Sequence, residues 1–181
     1  MNMPCDIIVV SGLDRVGKST VGKLLALNET YFFECGEYVR QQKVIDTFGN
    51  TSVSEYYDTN MKRLNREIIE QIILKMELMA EKHSLVVIGV RSTNLLESIF
   101  KLSVNVYVVY VQCDFNERYS RYFSGNKYKL CYSKRQFEEN DKLQHAWGID
   151  KIKSIANVII PNNSSHEELL NLVKNIKASV C

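Results

Sequence analysis

The fold is decided by the stretch Gly12-Leu13-Asp14-Arg15-Val16-Gly17-Lys18-Ser19-Thr20. Two glycines with four residues between them are followed by a lysine and a hydroxyl residue, which is the pattern of a phosphate-binding loop. The apolar run over residues 6–10 precedes the loop and predicts a buried strand. Apolar residues at helical spacing over residues 19–27 follow it and predict a helix. The loop therefore stands between a strand and a helix, as the pattern requires.

A loop of this kind binds phosphate because successive backbone N–H groups converge on phosphate oxygens at the positive end of a helix. Gly12 and Gly17 permit backbone torsions and a close approach that a Cβ would block. We expect Lys18 to reach the β- and γ-phosphates and the Ser19 hydroxyl to ligate Mg²⁺. The sequence therefore predicts binding of ATP with Mg²⁺, with phosphate contacts from Gly12, Leu13, Asp14, Arg15, Val16, Gly17, Lys18, Ser19 and Thr20.

The composition is that of an ordinary globular protein. The 181 residues, 45% of them apolar and 24% charged, suffice for one α/β domain and are short for two. No apolar run approaches the length of a membrane span or of a signal-peptide core, so we expect a cytoplasmic location and no membrane partner. Five cysteines without C-x-x-C spacing and three scattered histidines indicate reduced thiols rather than a zinc site.

The net charge of +2 is unevenly placed along the chain. Residues 118–135 hold six cations and no acid, so removing them leaves a net charge of −4 on the rest. A local basic segment on an otherwise acidic chain suits a compact polyphosphate better than a long nucleic acid, which we do not expect as a partner. Aromatic residues interleave these cations and leave two readings open, packing of a lid or stacking of bases: Tyr119, Tyr122, Phe123, Tyr128 and Tyr132.

Further apolar runs predict strands at residues 31–35, 85–89, 104–111 and 157–160. Between the strands, periodic patterns predict several helices. One begins at Gly36, and a long one has Ser54 as its N-cap and reaches about residue 82. Three more are predicted at residues 94–100, 115–123 and 134–153, the last with a break near Gly148. Ser164 and Glu167 predict a capping box for a last helix.

Continuous apolar strands that alternate with helices indicate a parallel sheet covered on both faces. We therefore predict the α/β class, with a three-layer, doubly wound parallel sheet of about five strands in a single domain over residues 1–181. In such sheets the ligand lies at the carboxyl ends of the strands. This rule brings residues 11–20, 35–40, 89–92 and 112–114 around one crevice.

Four segments now resemble the P-loop nucleoside monophosphate kinase group. The phosphate loop is similar to that of thymidylate kinases, and Cys35-Gly36-Glu37-Tyr38-Val39-Arg40 is similar to an acceptor segment of adenylate kinases. Gly89-Val90-Arg91 stands where these enzymes have a second arginine for the acceptor, and Arg118-x-x-Arg121 stands where they have a lid. The stretch from Phe137 to Asn162 also resembles relatives of dephospho-coenzyme A kinase.

The resemblance implies a P-loop NTPase fold with a short lid at about 118–135 and an acceptor-binding segment at about 36–82. It implies transfer of the γ-phosphate of ATP to a small nucleotide, a (deoxy)nucleoside monophosphate such as dTMP or AMP. Such transfer needs alignment and charge stabilisation rather than a protein nucleophile. The implied acceptor-binding residues are Glu37, Arg40 and Arg91, and the implied catalytic residues are Lys18, Arg15, Asp14, Arg118 and Arg121.

One position departs from this group. Its members end the strand at residues 85–88 with an aspartate that helps to hold Mg²⁺, and this chain has Ile88 there. Asp14 or Asp114 could instead hold a water of the Mg²⁺ shell, since Mg²⁺ keeps several waters. Asn162 and Asn163 are candidates for contacts with adenine, although both also suit a turn.

Two alternatives stay open at this point. The first is an activity like that of dephospho-coenzyme A kinase, whose acceptor is a hydroxyl and for which Asp14 would accept the proton. The second is a nucleotide-binding regulatory protein or RNA-contacting ATPase, which Ile88 in the metal-ligand position favours. The sequence also leaves open whether the chain forms a homodimer.

Overall fold

The computed structural model describes residues 7–26, 32–46, 51–79, 84–103, 105–124, 133–163 and 165–180. Within these residues the strands are β1 (Ile7–Ser11), β2 (Phe32–Glu34), β3 (Leu85–Val90), β4 (Val106–Gln112) and β5 (Val158–Pro161). The helices are α1 (Lys18–Leu25), α2 (Cys35–Ile45), α3 (Val53–Leu78), α4 (Thr93–Phe100), α5 (Phe115–Ser124), α6 (Lys134–Ala146), α7 (Ile149–Ser154) and α8 (His166–Val180).

The described strands form one parallel sheet in the order β2-β3-β1-β4-β5. β1 lies at the centre, where Ile8 pairs with Val86 of β3 on one side and with Tyr107 of β4 on the other. All carboxyl ends therefore meet at one edge, and the order reverses beside β1, which places a crevice after that strand. The predicted fold class, a doubly wound parallel sheet of about five strands, is confirmed.

Both faces of the sheet are covered, because successive side chains of a strand point to opposite faces. Ile7 and Val9 pack in a core with α2, α3, α4 and α7, and Ile8 and Val10 pack in a second core with α1 and α8. All five β1 side chains, these four and Ser11, are fully buried. Each apolar burial contributes roughly 1.5–3 kcal/mol, so the strand that leads into the phosphate loop is firmly held.

Helix α3 spans 26 residues and buries one stripe of side chains, of which Leu64, Ile68 and Ile72 are fully enclosed. Its other faces carry charged and polar side chains together with the exposed Leu74 and Leu78. In the part of the chain that the structure describes, no helix combines the length and the apolar character needed to cross a membrane.

Several predicted boundaries are corrected by the structure. Ser54 is not the N-cap of α3; Ser52 is, and its hydroxyl accepts from the Glu55 N–H at 3.1 Å while the Glu55 carboxylate accepts from the Ser52 N–H at 2.8 Å. This reciprocal box fixes the start of the helix two residues earlier. Cys35 begins α2 instead of ending a strand, and α3 ends at Leu78 rather than near residue 82.

Ser164 of the other predicted capping box lies outside the described residues. The hydroxyl of its neighbour Ser165 accepts from the Glu168 N–H at 3.3 Å, just before the first turn of α8. The predicted break near Gly148 is confirmed, since Gly148 has a positive φ of 92° and separates α6 from α7.

Ile88 is a core residue whose side chain lies directly against Gly22 of α1. A Cβ added at Gly22 would collide with the Cγ1 and Cδ1 atoms of Ile88. Ile88 of β3 therefore fits under α1 only because residue 22 of that helix is a glycine.

We expect Gly22→Ala to destabilise the protein by about 1–3 kcal/mol, because overpacking outweighs the gain in helix propensity. Urea unfolding followed by circular dichroism measures the change. The matched control is Gly36→Ala in α2, where an added Cβ meets its nearest atom at 3.6 Å and should be neutral or slightly stabilising. Equal stability of Gly22→Ala and wild type would contradict the packing described here.

Candidate functional site

The phosphate loop lies between β1 and α1, at the carboxyl edge of the sheet. Gly12 and Gly17 have positive φ angles of 139° and 97°, and Gly17 is the N-cap of α1. A Cβ at Gly12 would strike the Val111 carbonyl, and one at Gly17 would strike the Asn162 amide. Both glycines are thus required by backbone conformation and by space, as the sequence predicted. The loop amides precede the positive end of a helix, where anions bind well.

Lys18 is the first residue of α1 and is only 7% exposed. Its Nζ donates to the Leu13 carbonyl oxygen at 2.6 Å, so the side chain curls back over the loop. Burial lowers the pKa of Lys18 to about 7, helped by the nearby Arg91 and Arg118 guanidiniums. These effects outweigh the opposite influence of Asp14. The carboxylates near Lys18 therefore do not fully compensate its positive charge, and a bound phosphate would provide the missing compensation.

The Asp14 carboxylate is held from two sides. Its Oδ1 lies 2.6 Å from an Arg91 Nη atom, and its Oδ2 accepts from the Asn140 side-chain amide at 2.7 Å. Burial alone would raise the pKa of Asp14, but Arg91, Lys18 and the Asn140 hydrogen bond together lower it to about 2. The carboxylate is therefore ionised at neutral pH and joins the loop to the end of β3.

Arg40 and Arg91, the two predicted acceptor arginines, both lie close to Gly36. A Cβ built on Gly36 would be 3.6 Å from Nη1 of Arg40 and 4.0 Å from Nη2 of Arg91. Both arginines line one cleft of about 40 Å³ whose remaining wall is largely apolar, with Val39, Tyr57, Ile68 and Leu95 among its residues. The structure thus brings together two forked cation groups that match the oxygens of a phosphate or a carboxylate.

Glu37 lies on the outer side of this cleft rather than inside it. Its carboxylate accepts from the Arg40 guanidinium at 2.7 Å, and this hydrogen bond lowers the pKa of Glu37. Arg40 is 49% exposed and lies 4.0 Å from Glu34 as well. Glu37 is thus placed to orient Arg40, and it does not face the cleft beside Arg91.

The remaining predicted catalytic cations have partners within the protein. Arg118 is only 3% exposed, pairs with both oxygens of Asp141 at 2.9 and 2.5 Å, and donates to the Asp14 carbonyl at 3.1 Å. Arg121 donates to the Asn162 carbonyl at 2.8 Å, so α5 is tied to the end of β5. Arg15 has a φ of 65° and is exposed, with its guanidinium 5.2 Å from the centre of the Tyr122 ring.

The aromatic residues of α5 pack among themselves and against α6. Tyr119 and Tyr122 contact Phe137 at centroid distances of 5.6 and 5.7 Å, and Phe123 meets Tyr119 at 4.8 Å. Within the described residues this favours the packing interpretation over a base-stacking strip. Tyr128 and Tyr132, like all of residues 125–132 of the predicted lid, lie outside the residues that the structure describes.

Glu34, which the sequence analysis did not predict as a site residue, provides a carboxylate suited to Mg²⁺. The Ser19 hydroxyl, the predicted metal ligand, donates to Glu34 Oε1 at 2.7 Å. Hydroxyl and carboxylate oxygens are hard ligands of the kind that Mg²⁺ takes together with waters, so these two residues fit the ion. Glu34 ends β2, and the rule that ligands lie at strand ends could have pointed to it.

The aspartates considered for the same task are placed less favourably. Asp14 is occupied by Arg91 and Asn140, and Asp114 is exposed, with its backbone N–H donating to the Asn163 side chain at 2.8 Å. Among the described residues, no cluster of three or more histidine, cysteine or acidic side chains forms a metal site of another type.

The two predicted adenine contacts have structural tasks. The Asn162 side chain donates to the Val16 carbonyl at 2.8 Å and so fixes the phosphate loop to the end of β5. The Asn163 side chain accepts from Asp114. A groove of about 340 Å³ runs beside Asn162 along α8.

These features define a P-loop protein of the kinase type of fold. The chain belongs to the AAA domain family, whose profile matches residues 8–159. It is similar to the UPF0200 protein PAE1629 of Pyrobaculum aerophilum, with 26% identity over 165 residues that cover 91% of this chain and 92% of the relative.

Two solved structures share the fold over nearly the whole chain. A gluconokinase from Sinorhizobium meliloti has a TM-score of 0.64 and 15% identity, with 99% of this chain and 95% of that chain covered. A shikimate kinase from Bacteroides thetaiotaomicron has a TM-score of 0.63 and 12% identity, with 96% and 97% covered. These similarities support a P-loop kinase fold in general. Membership of the nucleoside monophosphate kinase group stays a prediction.

We expect ATP binding to take up protons above pH 7. With a pKa of about 7, Lys18 is largely neutral there in the free protein, and phosphate oxygens restore its charge. The uptake should reach about half a proton or more at pH 7.5 and vanish below pH 6, where Lys18 is already charged. Calorimetric titration in two buffers of different ionisation enthalpy measures it.

Lys18→Arg is the control for proton uptake, because a guanidinium stays charged throughout and should take up none. Wild-type binding without proton uptake at pH 8 would contradict the state assigned to Lys18.

Proposed function

We propose that this protein is an ATP- and Mg²⁺-dependent phosphotransferase whose acceptor is a small anionic molecule, with a (deoxy)nucleoside monophosphate such as dTMP or AMP as first choice. One observation carries the proposal. The phosphate loop with Lys18 follows β1, and Arg91 follows the neighbouring strand β3. Arg40 lies in α2, near Arg91, and Asp14 joins the loop to this pair through its ion pair with Arg91. The crevice therefore offers one cationic cradle for a triphosphate and a second for another anion.

The ionisation of Asp14 supports an acceptor that is itself a nucleophile. A phosphate acceptor attacks as an anion and needs no base, whereas a hydroxyl acceptor must lose a proton. With a pKa of about 2, Asp14 is a weak proton acceptor. This weighs against the base role that a dephospho-coenzyme A kinase-like reaction would ask of it.

In this proposal the loop amides and Lys18 would hold the β- and γ-phosphates, and Ser19 with Glu34 would hold Mg²⁺. When bound, the ion would neutralise part of the phosphate charge. Arg15 is exposed in the loop, and Arg121 reaches the end of β5 through the Asn162 carbonyl; both would be candidates for contact with the transferring group. Arg118 would act mainly by holding the loop, since Asp141 occupies its guanidinium on both outer nitrogens.

A second candidate is a kinase for a hydroxyl group on a carboxylate-bearing acceptor. The names of the structural neighbours, a gluconokinase and a shikimate kinase, denote acceptors of this chemistry. Arg40 and Arg91 suit a carboxylate as well as a phosphate. Glu34, beside Ser19 at the end of β2, would then be the candidate proton acceptor. A nucleotide-sensing or RNA-contacting ATPase is the outcome if no acceptor is phosphorylated.

An acceptor panel tests the proposal. ADP release from ATP and Mg²⁺ is measured with dTMP, AMP, other monophosphates, dephospho-coenzyme A, shikimate and gluconate, and we expect stimulation by a nucleoside monophosphate. Lys18→Ala should lower the rate by about a hundredfold or more while the protein stays folded, since Lys18 stabilises the transferring charge. Stimulation by gluconate or shikimate alone would favour the second candidate, and slow ADP release without any acceptor would count against transfer.

We expect Arg40→Ala to raise KM for the acceptor by about tenfold or more, because the acceptor loses a charged hydrogen-bond partner. KM for ATP should stay nearly unchanged, because Arg40 does not contact ATP in this proposal. Steady-state kinetics with each substrate varied measures both constants. Arg66→Ala in α3 is the matched control, since that arginine side chain is 72% exposed and meets Glu70 only at 4.0 Å. Equal effects of the two substitutions would remove Arg40 from the acceptor site.

A further inference from the structure

Asn140 of α6 is 126 residues from Asp14 in the chain and donates its side-chain amide to that carboxylate at 2.7 Å. We propose that Asn140 is a positioning residue for the acceptor, which acts by holding Asp14 in the orientation that aims Arg91 into the acceptor cleft. The inference rests on the proposed phosphotransferase function. It assigns a role to the helix that follows the lid-like segment.

The geometry of the Asp14 carboxylate carries the argument. One oxygen faces Arg91 at 2.6 Å and the other faces Asn140 at 2.7 Å, so the carboxylate plane is fixed by a contact at each oxygen. If the amide is removed, the carboxylate can rotate, and Arg91 loses the defined partner that holds it. Arg91 lines the acceptor cleft, and its Nε is buried without a hydrogen-bond partner among the described residues. The Asp14 contact is therefore a main constraint on its direction.

The next residue of the same helix makes a second tie to the loop. Asp141 pairs with both outer nitrogens of Arg118, and Arg118 donates to the Asp14 carbonyl at 3.1 Å. Asn140 thus contacts the side chain of Asp14, while Asp141 supports its backbone through Arg118. Two adjacent residues of α6 thereby fix one loop residue, which is more than a chance surface contact provides.

The charges around Asp14 come from every element packed against it. Arg91 follows β3, Lys18 begins α1, Arg15 lies in the loop itself and Arg118 comes from α5. The acids on either side of Asn140 in α6 are both paired, Asp141 with Arg118 and Glu139 with Arg135. Asn140 is thus a neutral donor in a cationic surrounding, and it orients the carboxylate without adding charge.

The first test is Asn140→Ala, assayed with ATP and the acceptor found in the panel. We expect KM for the acceptor to rise about tenfold, since a hydrogen bond to a charged group is lost, and KM for ATP to change less than about twofold. Asn116→Ala is the matched control, because Asn116 is an exposed asparagine of α5. A variant that changes both constants alike, or neither, would overturn the proposal.

The second test is Asn140→Asp, which keeps the side-chain size and so remains informative if the alanine variant folds poorly. At pH 8 two carboxylates repel each other and the acceptor, so KM for the acceptor should be high. The cations around Asp14 keep both carboxylates ionised, and the introduced carboxylate cannot donate a hydrogen bond to Asp14 as the amide does. We therefore expect KM for the acceptor to stay high in Asn140→Asp at pH 6 as well as at pH 8. A wild-type KM for the acceptor in Asn140→Asp would overturn the proposal.

A third readout separates this inference from the proposed function. If the wild type phosphorylates nothing in the panel, the function fails, yet the Asp14 carboxyl can still be titrated by carbon-13 NMR. The pKa of Asp14 should rise in Asn140→Ala and stay near its wild-type value of about 2 in Asn116→Ala. An unchanged pKa in Asn140→Ala would mean that the contact does not hold the carboxylate, and the positioning role would be lost.

Discussion

The ion pair between Asp14 and Arg91 is the interaction on which the rest of the site depends. It joins the phosphate loop to the end of β3 and lies between the two cationic cradles. Burying an arginine is costly unless a carboxylate compensates it, and here the compensating acid comes from the loop that must stay rigid. Loop shape and acceptor geometry are therefore coupled through one carboxylate.

A surplus of positive charge collects around the phosphate loop. Burial is the largest cause of the lowered pKa of Lys18, and the next is repulsion from Arg91, with a smaller share from Arg118. A triphosphate would relieve it, so part of the binding free energy comes from removing strain between like charges in the free protein. The same surplus makes the ionised state of Asp14 persistent, since three cations and one amide stabilise it.

The sequence was sufficient for the features that depend on local patterns. The loop, the buried strands and the meeting of Arg40 and Arg91 at one edge all follow from spacing and from the rule for parallel sheets. Side-chain partners across long sequence distances were not predictable in this way. No sequence pattern near Asn140 indicates Asp14 as its partner. The N-cap of α3 was predicted at Ser54, whereas the structure has it at Ser52, two residues earlier.

The contact between Ser19 and Glu34 was not predicted for a related reason. The kinase group that the sequence resembles carries aspartate at the end of the strand at residues 85–88, and here Ile88 fills that position and packs against Gly22. Glu34 ends a neighbouring strand, and only the register of β2 beside β3 shows that its carboxylate reaches Ser19. The carboxylate that we propose for Mg²⁺ therefore lies on a different strand of the same edge.

The central claim is that two anions are held at once, one by the loop and one by the arginine pair. A bisubstrate analogue, adenosine joined to thymidine or to a second adenosine through five phosphates, tests it directly in a calorimetric titration. The account predicts that one of these compounds binds at least tenfold more tightly than ATP and that Arg40→Ala removes this gain while affinity for ATP is retained. Binding no tighter than that of ATP, or a gain that survives Arg40→Ala, would contradict it.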